Sequence, residues 1–223
     1  MAQNDLPAAF FDRHFGIKSR DLDKILEAAL GKKADYADLF FEYRRNEGIS
    51  LEEGLVKNCS QSTANGVGVR VLADTKTGYA YTDDITIANL EIAAGTARYI
   101  AQNRPTQVPA AVGAPLLAMH DLYAVQTPVN DVALETKIDL LYEIDKYTRS
   151  LDPRIKNVFA SIGAEYKVIL VATSQGLVVG DIQPLTRLNV TCIVEENGNR
   201  QAGSFGGGGR VFHPWYGAHP FRH

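Results

Sequence analysis

The sequence predicts an α+β fold: a largely antiparallel sheet of hairpins with flanking helices, carrying a weak internal duplication. Three observations predict it. Apolar residues recur at i, i+3 and i+4 in three separated segments, which is the period of a helix buried on one face. Between and after these segments the period falls to two, as in GVGVRVLAD (66–74), with turn residues between the alternating runs. The order of helix, strands and hairpin then occurs twice, and GLV at 54–56 returns as GLVV at 176–179, an offset of 122 residues.

The elements follow in chain order. Residues 1–18 form an N-terminal arm, and 19–102 the first repeat. In SRDLDKILEAALGKK, Leu22, Ile25, Leu26, Ala29 and Leu30 share a helical face, with Ser19 as the expected N-cap and Gly31 as the stop. Short strands are expected at Glu42–Arg45 and Gly54–Val56. A hairpin at 66–82 follows, with Val67, Val69 and Val71 on one side and Gly68, Arg70 and Leu72 on the other. Tyr79 and Tyr81 flank Ala80 after a turn at Asp74 to Gly78. The helix at 86–102 has a Thr86 cap and a narrow stripe of Ile87, Leu90, Ala94, Ala97 and Ala101.

Residues 103–130 read as an extended connector, since four prolines interrupt any period. The second repeat, 131–210, opens with a helix capped by Asn130 and stopped before Pro153, its stripe being Leu134, Ile138, Leu141, Ile144 and Leu151. Strands at Glu165–Lys167 and Gly176–Val179 lead to a hairpin at 186–205. There Leu188, Val190, Cys192 and Val194 alternate with polar residues, and Asn197-Gly198 signals the turn. By the pattern of the first repeat a helix is due next. Residues 211–223, with Pro214 and Pro220, carry no helical period, so this repeat reads as incomplete and the tail as aberrant.

Composition excludes several classes. A 45% apolar and 22% charged chain of net charge −3 is that of an ordinary globular protein with no electrostatic pull toward nucleic acid. No apolar run approaches the roughly 18–20 residues that span a bilayer, and the first residues lack the basic and apolar regions of a secretory leader. Two cysteines, Cys59 and Cys192, make no disulfide framework, so a reducing cytoplasm is the expected compartment.

Each candidate for chemistry meets a plainer reading. The glycine loop Gly206, Gly207, Gly208 and Gly209 resembles a phosphate cradle, yet GSFGGGGR fits no P-loop spacing and no helix follows to receive the anion. It reads as a connector or a loop packed on backbone. His213, His219 and His223 offer imidazoles on a Pro-containing end without thiolate partners, and no H-E-x-x-H or H-E-x-x-x-H occurs. Neighbouring acids such as Glu52–Glu53, Asp83–Asp84 and Glu195–Glu196 point to opposite faces on a strand and read as solvated turns. No catalytic residue and no metal ligand is therefore assigned. Arg70, Tyr79 and Tyr81 remain as candidates for binding: a polar sheet face beside an edge, suited to an extended peptide added as a strand.

Assembled, the stretches DYADLFFEY (35–43), GVGVRVLADTKTGYAYTDDIT (66–86), EYKVILVATSQG (165–176) and RLNVTCIVEENGNRQAGSFGGGGR (187–210) resemble the N-terminal part of the TldD/PmbA family, once called modulators of DNA gyrase. The resemblance covers nearly everything to Arg210. It implies the substrate-side domain of a cytoplasmic zinc metallopeptidase that cleaves unfolded or small peptides, held extended beside its strands and processed with a TldE/PmbA-like subunit. It also implies that zinc, expected for the intact family protein, is bound in a C-terminal domain by H-E-x-x-x-H and a later cysteine. None of those positions occurs here, so the chain is expected to be truncated near Arg210 and inactive alone. The alternatives are a non-catalytic module for peptides or a partner, and a small nucleotide- or metal-binding protein using its tail.

Overall fold

A computed structural model describes residues 6–103 and 129–210. The connector reading over 104–128 and the tail with its three histidines lie outside the described residues. The elements are α1 (Leu6–Phe15), α2 (Ser19–Leu30), β1 (Tyr36–Glu52), β2 (Leu55–Ala73), β3 (Lys76–Thr82) and α3 (Ile87–Asn103). After a 3-10 turn (Val129–Asp131) come α4 (Leu134–Leu151), β4 (Ile155–Thr173), β5 (Val178–Glu196) and β6 (Asn199–Gly209).

The six strands form one antiparallel sheet in the order β3-β2-β1-β4-β5-β6. Each three-strand run is a meander, and β1 meets β4 at the centre through bonds such as Ser174 N–H to Ala37 O (2.8 Å) and Glu53 N–H to Val158 O (3.2 Å). The α+β class and the antiparallel hairpins are as expected. The strands are far longer than the short ones expected at 42–45 and 54–56, running to 17–19 residues. The turns explain the registers. Glu53 and Gly54 (φ 52° and 71°), like Asn197 and Gly198 (φ 51° and 78°), supply the paired left-handed residues that a two-residue hairpin turn requires.

The chain divides into two compact units, to which β1, β2, β4 and β5 each contribute a part. In the first unit (6–43, 64–103 and 168–182), three helices cover one sheet face. Val67, Val69 and Val71, at most 1% exposed, are buried together with Leu39, Phe41, Val168 and Leu170 of the strands and Ile25, Ala29, Leu90 and Ala94 of the helices. Each large aliphatic side chain so buried contributes about 1.5–3 kcal/mol. The small stripe of α3 is needed for its close approach to β3: a Cβ on Gly78 would stand 1.8 Å from Ala97 O. Arg98 lies across Gly31 and donates from Nη1 to Ala28 O (2.5 Å), tying the end of α2 to α3.

Several expectations are corrected here. The N-terminal arm contains α1, whose Phe11 is fully buried and packs its ring 5.3 Å from that of Phe41. The N-cap of α2 is Lys18, not Ser19. It is held by Asp21, which accepts from the Lys18 N–H (3.0 Å), the carboxylate half of a capping box. Ile87, placed on the buried stripe of α3, is 39% exposed because the helix only begins there.

In the second unit (44–63, 129–167 and 183–210), α4 packs on Ile49 and Leu51 of β1, Ala160, Ile162 and Ala164 of β4, and Leu188 of β5. Leu141 and Ile144 are buried as expected, but Leu134 and Leu151 are exposed at the two ends of the helix. The buried face of α4 includes a charge instead: Lys137, whose Nζ is 2.5 Å from Glu47 Oε1, with both side chains at most 10% exposed. Asn130 does not cap α4: the 3-10 turn intervenes, Ala133 takes the cap position, and the Asn130 amide donates to Arg45 O (3.4 Å). Arg45 also pairs with Asp131. The run expected as a glycine loop is strand: Gly206–Gly209 pair with Asn189–Thr186 of β5 as the last residues of β6. Glycine is needed for that fit, because a Cβ at Gly208 would meet Thr186 O at 2.3 Å.

Candidate functional site

In the first unit the sheet face away from the helices is lined by side chains of alternate residues. Register places Arg70 opposite Tyr79 and Gly68 opposite Tyr81, so the three sequence-derived candidates stand on one face. Tyr36, Asp38 and Phe40 of β1 and Val171 of β4 join Gly68, Arg70 and Tyr79 around a groove of about 370 Å³. Tyr79 lies across Gly68, whose absent Cβ would be 2.4 Å from the Tyr79 hydroxyl. Tyr79 and Tyr81 are 59% and 67% exposed, so one face of the hairpin offers two aromatic rings to solvent.

Arg70 is not a free cation. Its Nη2 and Nε donate to Asp38 Oδ2 at 2.5 and 2.9 Å, and the guanidinium carbon stands 6.0 Å from the centre of the Tyr36 ring. The hydrogen bond to Asp38 raises the Arg70 pKa further above its already high value. Burial, and then the charge of Asp38, raises the Tyr36 phenol, so it stays protonated and donates. Sequence reasoning missed Tyr36 and Asp38. The signal was present in YADLF, where residues 36, 38 and 40 alternate with the buried Ala37, Leu39 and Phe41. Chemically the groove has aromatic faces, a phenol donor and a neutralised ion pair, a set that suits binding of a partly apolar chain with polar main-chain groups.

No group of three or more His, Cys, Asp or Glu able to hold a metal gathers among the described residues. No helix among them is long and apolar enough to cross a membrane.

A long-stranded antiparallel sheet with helices on it defines an α+β class. Residues 37–101 match the family described as PmbA/TldA metallopeptidase domain 1, and residues 127–214 match its central domain. The chain belongs to the PmbA/TldD metallopeptidase family. It is 34% identical over 200 residues to a metalloprotease TldD homolog of Haemophilus influenzae, covering 90% of this chain and 42% of that one. A metalloprotease of Methanocaldococcus jannaschii is 26% identical over 195 residues, with 86% and 42% covered. Among solved structures, a modulator of DNA gyrase from Thermotoga maritima superposes with a TM-score of 0.70 at 18% identity, over 86% of this chain and 43% of that one. TldE from Thermococcus kodakarensis gives 0.67 at 14%, over 86% and 43%. The chain thus spans about 42% of the length of the curated relatives it matches.

Proposed function

We propose that this chain is the substrate-side portion of a TldD-like zinc metallopeptidase, and that it holds unfolded or small peptides in extended form on the open face of the first unit. The tyrosine-lined groove beside the edge strand β3 carries this reading. An extended peptide presents main-chain donors and acceptors to an edge, and its side chains to the rings of Tyr79 and Tyr81. Arg70, locked to Asp38, fixes the groove wall and ties β2 to β1. Family membership supports the peptidase assignment. In this reading zinc and the groups that activate water lie outside the described residues, the protein works in the cytoplasm, and its companion is a TldE/PmbA-like subunit. The second reading, a peptide- or partner-binding module without catalysis, shares the groove and differs only in lacking hydrolysis.

Fluorescence anisotropy of a labelled, unstructured peptide tests the groove. Losing an exposed aromatic contact costs about 0.5–1.5 kcal/mol, so Tyr79→Ala and Tyr81→Ala each weaken binding about two- to tenfold. A double variant that binds as tightly as the unaltered chain refutes the assignment of the groove.

A further inference from the structure

The groove on the open face of the first unit has a bare floor. Gly68 lies on that face, opposite Tyr81 in register, and yet it is buried. Its cover is Tyr79, which register places opposite Arg70. A Cβ at position 68 would stand 2.4 Å from the Tyr79 hydroxyl oxygen and 3.0 Å from two carbons of the ring. The tyrosine therefore rests on glycine backbone, and any side chain at 68 lifts it into the groove. Tyr79 is nonetheless 59% exposed, so its ring is a wall with one side free.

The opposite wall is apolar. Ser174 donates its N–H to Ala37 O (2.8 Å), which sets the register of β4 on β1. Three residues along, Phe40 stands opposite Val171, at a position between ladder bonds where paired side chains lie closest. Phe40 is 42% exposed and Val171 half-buried, and both line the groove with Gly68 and Tyr79.

The charged end decides what enters. Asp38 Oδ2 accepts from both Nε and Nη2 of Arg70. The Arg70 side chain is 42% exposed and that of Asp38 12%, so solvent meets the cation of a pair that is already neutral. A Lys or Arg side chain entering the groove meets a like charge. A carboxylate gives up its water for a guanidinium that Asp38 has satisfied. An apolar side chain loses no hydration of that kind, and gains burial against Phe40, Val171 and the Tyr79 ring. The volume of about 370 Å³ lies near the lower end for ligand pockets, and suits one large side chain.

We infer that this groove is a side-chain subsite selecting an aromatic or large aliphatic residue of an extended peptide, with Tyr79, seated on Gly68, setting how large a side chain fits. The inference rests on the reading of the groove as the peptide site, and adds the chemistry of the residue it admits.

Fluorescence anisotropy of five labelled, unstructured peptides tests it, identical except for Phe, Leu, Ala, Lys or Glu at one central position. In a groove open on one side, about half the full burial of a large apolar side chain is gained. The Phe and Leu peptides are therefore expected to bind about four- to twelvefold tighter than the Ala peptide. Lys and Glu give no gain over Ala. Gly68→Ala pushes the Tyr79 ring into the groove, and Val171→Phe fills it from the other wall. In each, the Phe peptide is expected to fall to the level of the Ala peptide, whose own affinity stays within about twofold. Val171 lies on the open face, so Val171→Phe carries the test even where Gly68→Ala disturbs the fold, as read by circular dichroism. Phe and Ala peptides that bind the unaltered chain equally overturn the inference while leaving the groove as a peptide site. So does a Lys or Glu peptide that binds tighter than Phe, or a preference for Phe that survives Val171→Phe. Failure of all five peptides to bind overturns the peptide site and the subsite together.

Discussion

Replacing Lys137 by Met tests how α4 is held on the sheet. The Lys137 side chain is 5% exposed and that of Glu47 10%, with their charged atoms 2.5 Å apart. Removing the ammonium leaves the Glu47 carboxylate buried without its cation, a change that costs about 3–5 kcal/mol. At a urea slope of about 2 kcal/mol per molar, the unfolding midpoint falls by roughly 2 M. The corresponding loss in melting temperature is roughly 6–20 °C for a chain of this size. Urea titration followed by circular dichroism at fixed pH reads the shift. The double variant Lys137→Met with Glu47→Leu buries apolar groups of similar volume, and is expected to regain most or all of the loss, since such exchanges are often neutral or stabilising. A Lys137→Met chain whose stability lies within about 1 kcal/mol of the unaltered one refutes the burial of the pair, for then water already screens it.

Two further outcomes follow from contacts in the first unit. Gly78→Ala places a methyl where Ala97 O and Ala101 N stand 1.8 and 2.6 Å away, so α3 must lift from β3. The expected destabilisation is about 3 kcal/mol, checked by the same urea titration, whereas Gly95→Ala, which meets nothing within 4 Å, is neutral or stabilising. The Tyr36 phenol is raised above 10.0 in the folded chain, chiefly by burial and then by Asp38. Its contribution to stability is present below that pH and is lost as the pH rises above it, because the unfolded chain releases the proton first. Tyr36→Phe should therefore flatten the alkaline limb of the stability profile, and an unchanged slope above pH 10 contradicts the burial of the phenol.

Much of the first unit could be read in the residues. Val67, Val69 and Val71 announce a strand because one face is buried and the other is not, and the Ile25, Leu26 and Ala29 face announces α2 in the same way. The outer half of β2 was illegible for the same physical reason. Residues 57–64 are exposed on both faces, so Lys57, Asn58, Ser60 and Gln61 have no alternation to impose. The glycines of β6 lack side chains, and only register reveals them as strand. The Lys137–Glu47 pair was hidden because a charge inside an amphipathic helix breaks its stripe, and the compensating partner is 90 residues away. In the candidate groove, Arg70, Tyr79 and Tyr81 share a hairpin and could be placed together. Asp38 and Tyr36 come from a strand that does not pair with β3, so no local pattern joins them to the tyrosines.

The meeting of β1 with β4 sets the order in which the protein can form during synthesis. Ala37 donates its N–H to the Ser174 hydroxyl, 137 residues later. At about 5–20 residues per second, that partner leaves the ribosome roughly 7–27 s after Ala37. Through that interval the inner edge of β1 has no neighbour on its β4 side. The first meander must therefore wait half-finished, and only the arrival of residues 155–173 closes the middle of the sheet. A nascent chain stalled before that point carries an unpaired strand of 17 residues, the state in which a holding chaperone would find most to protect.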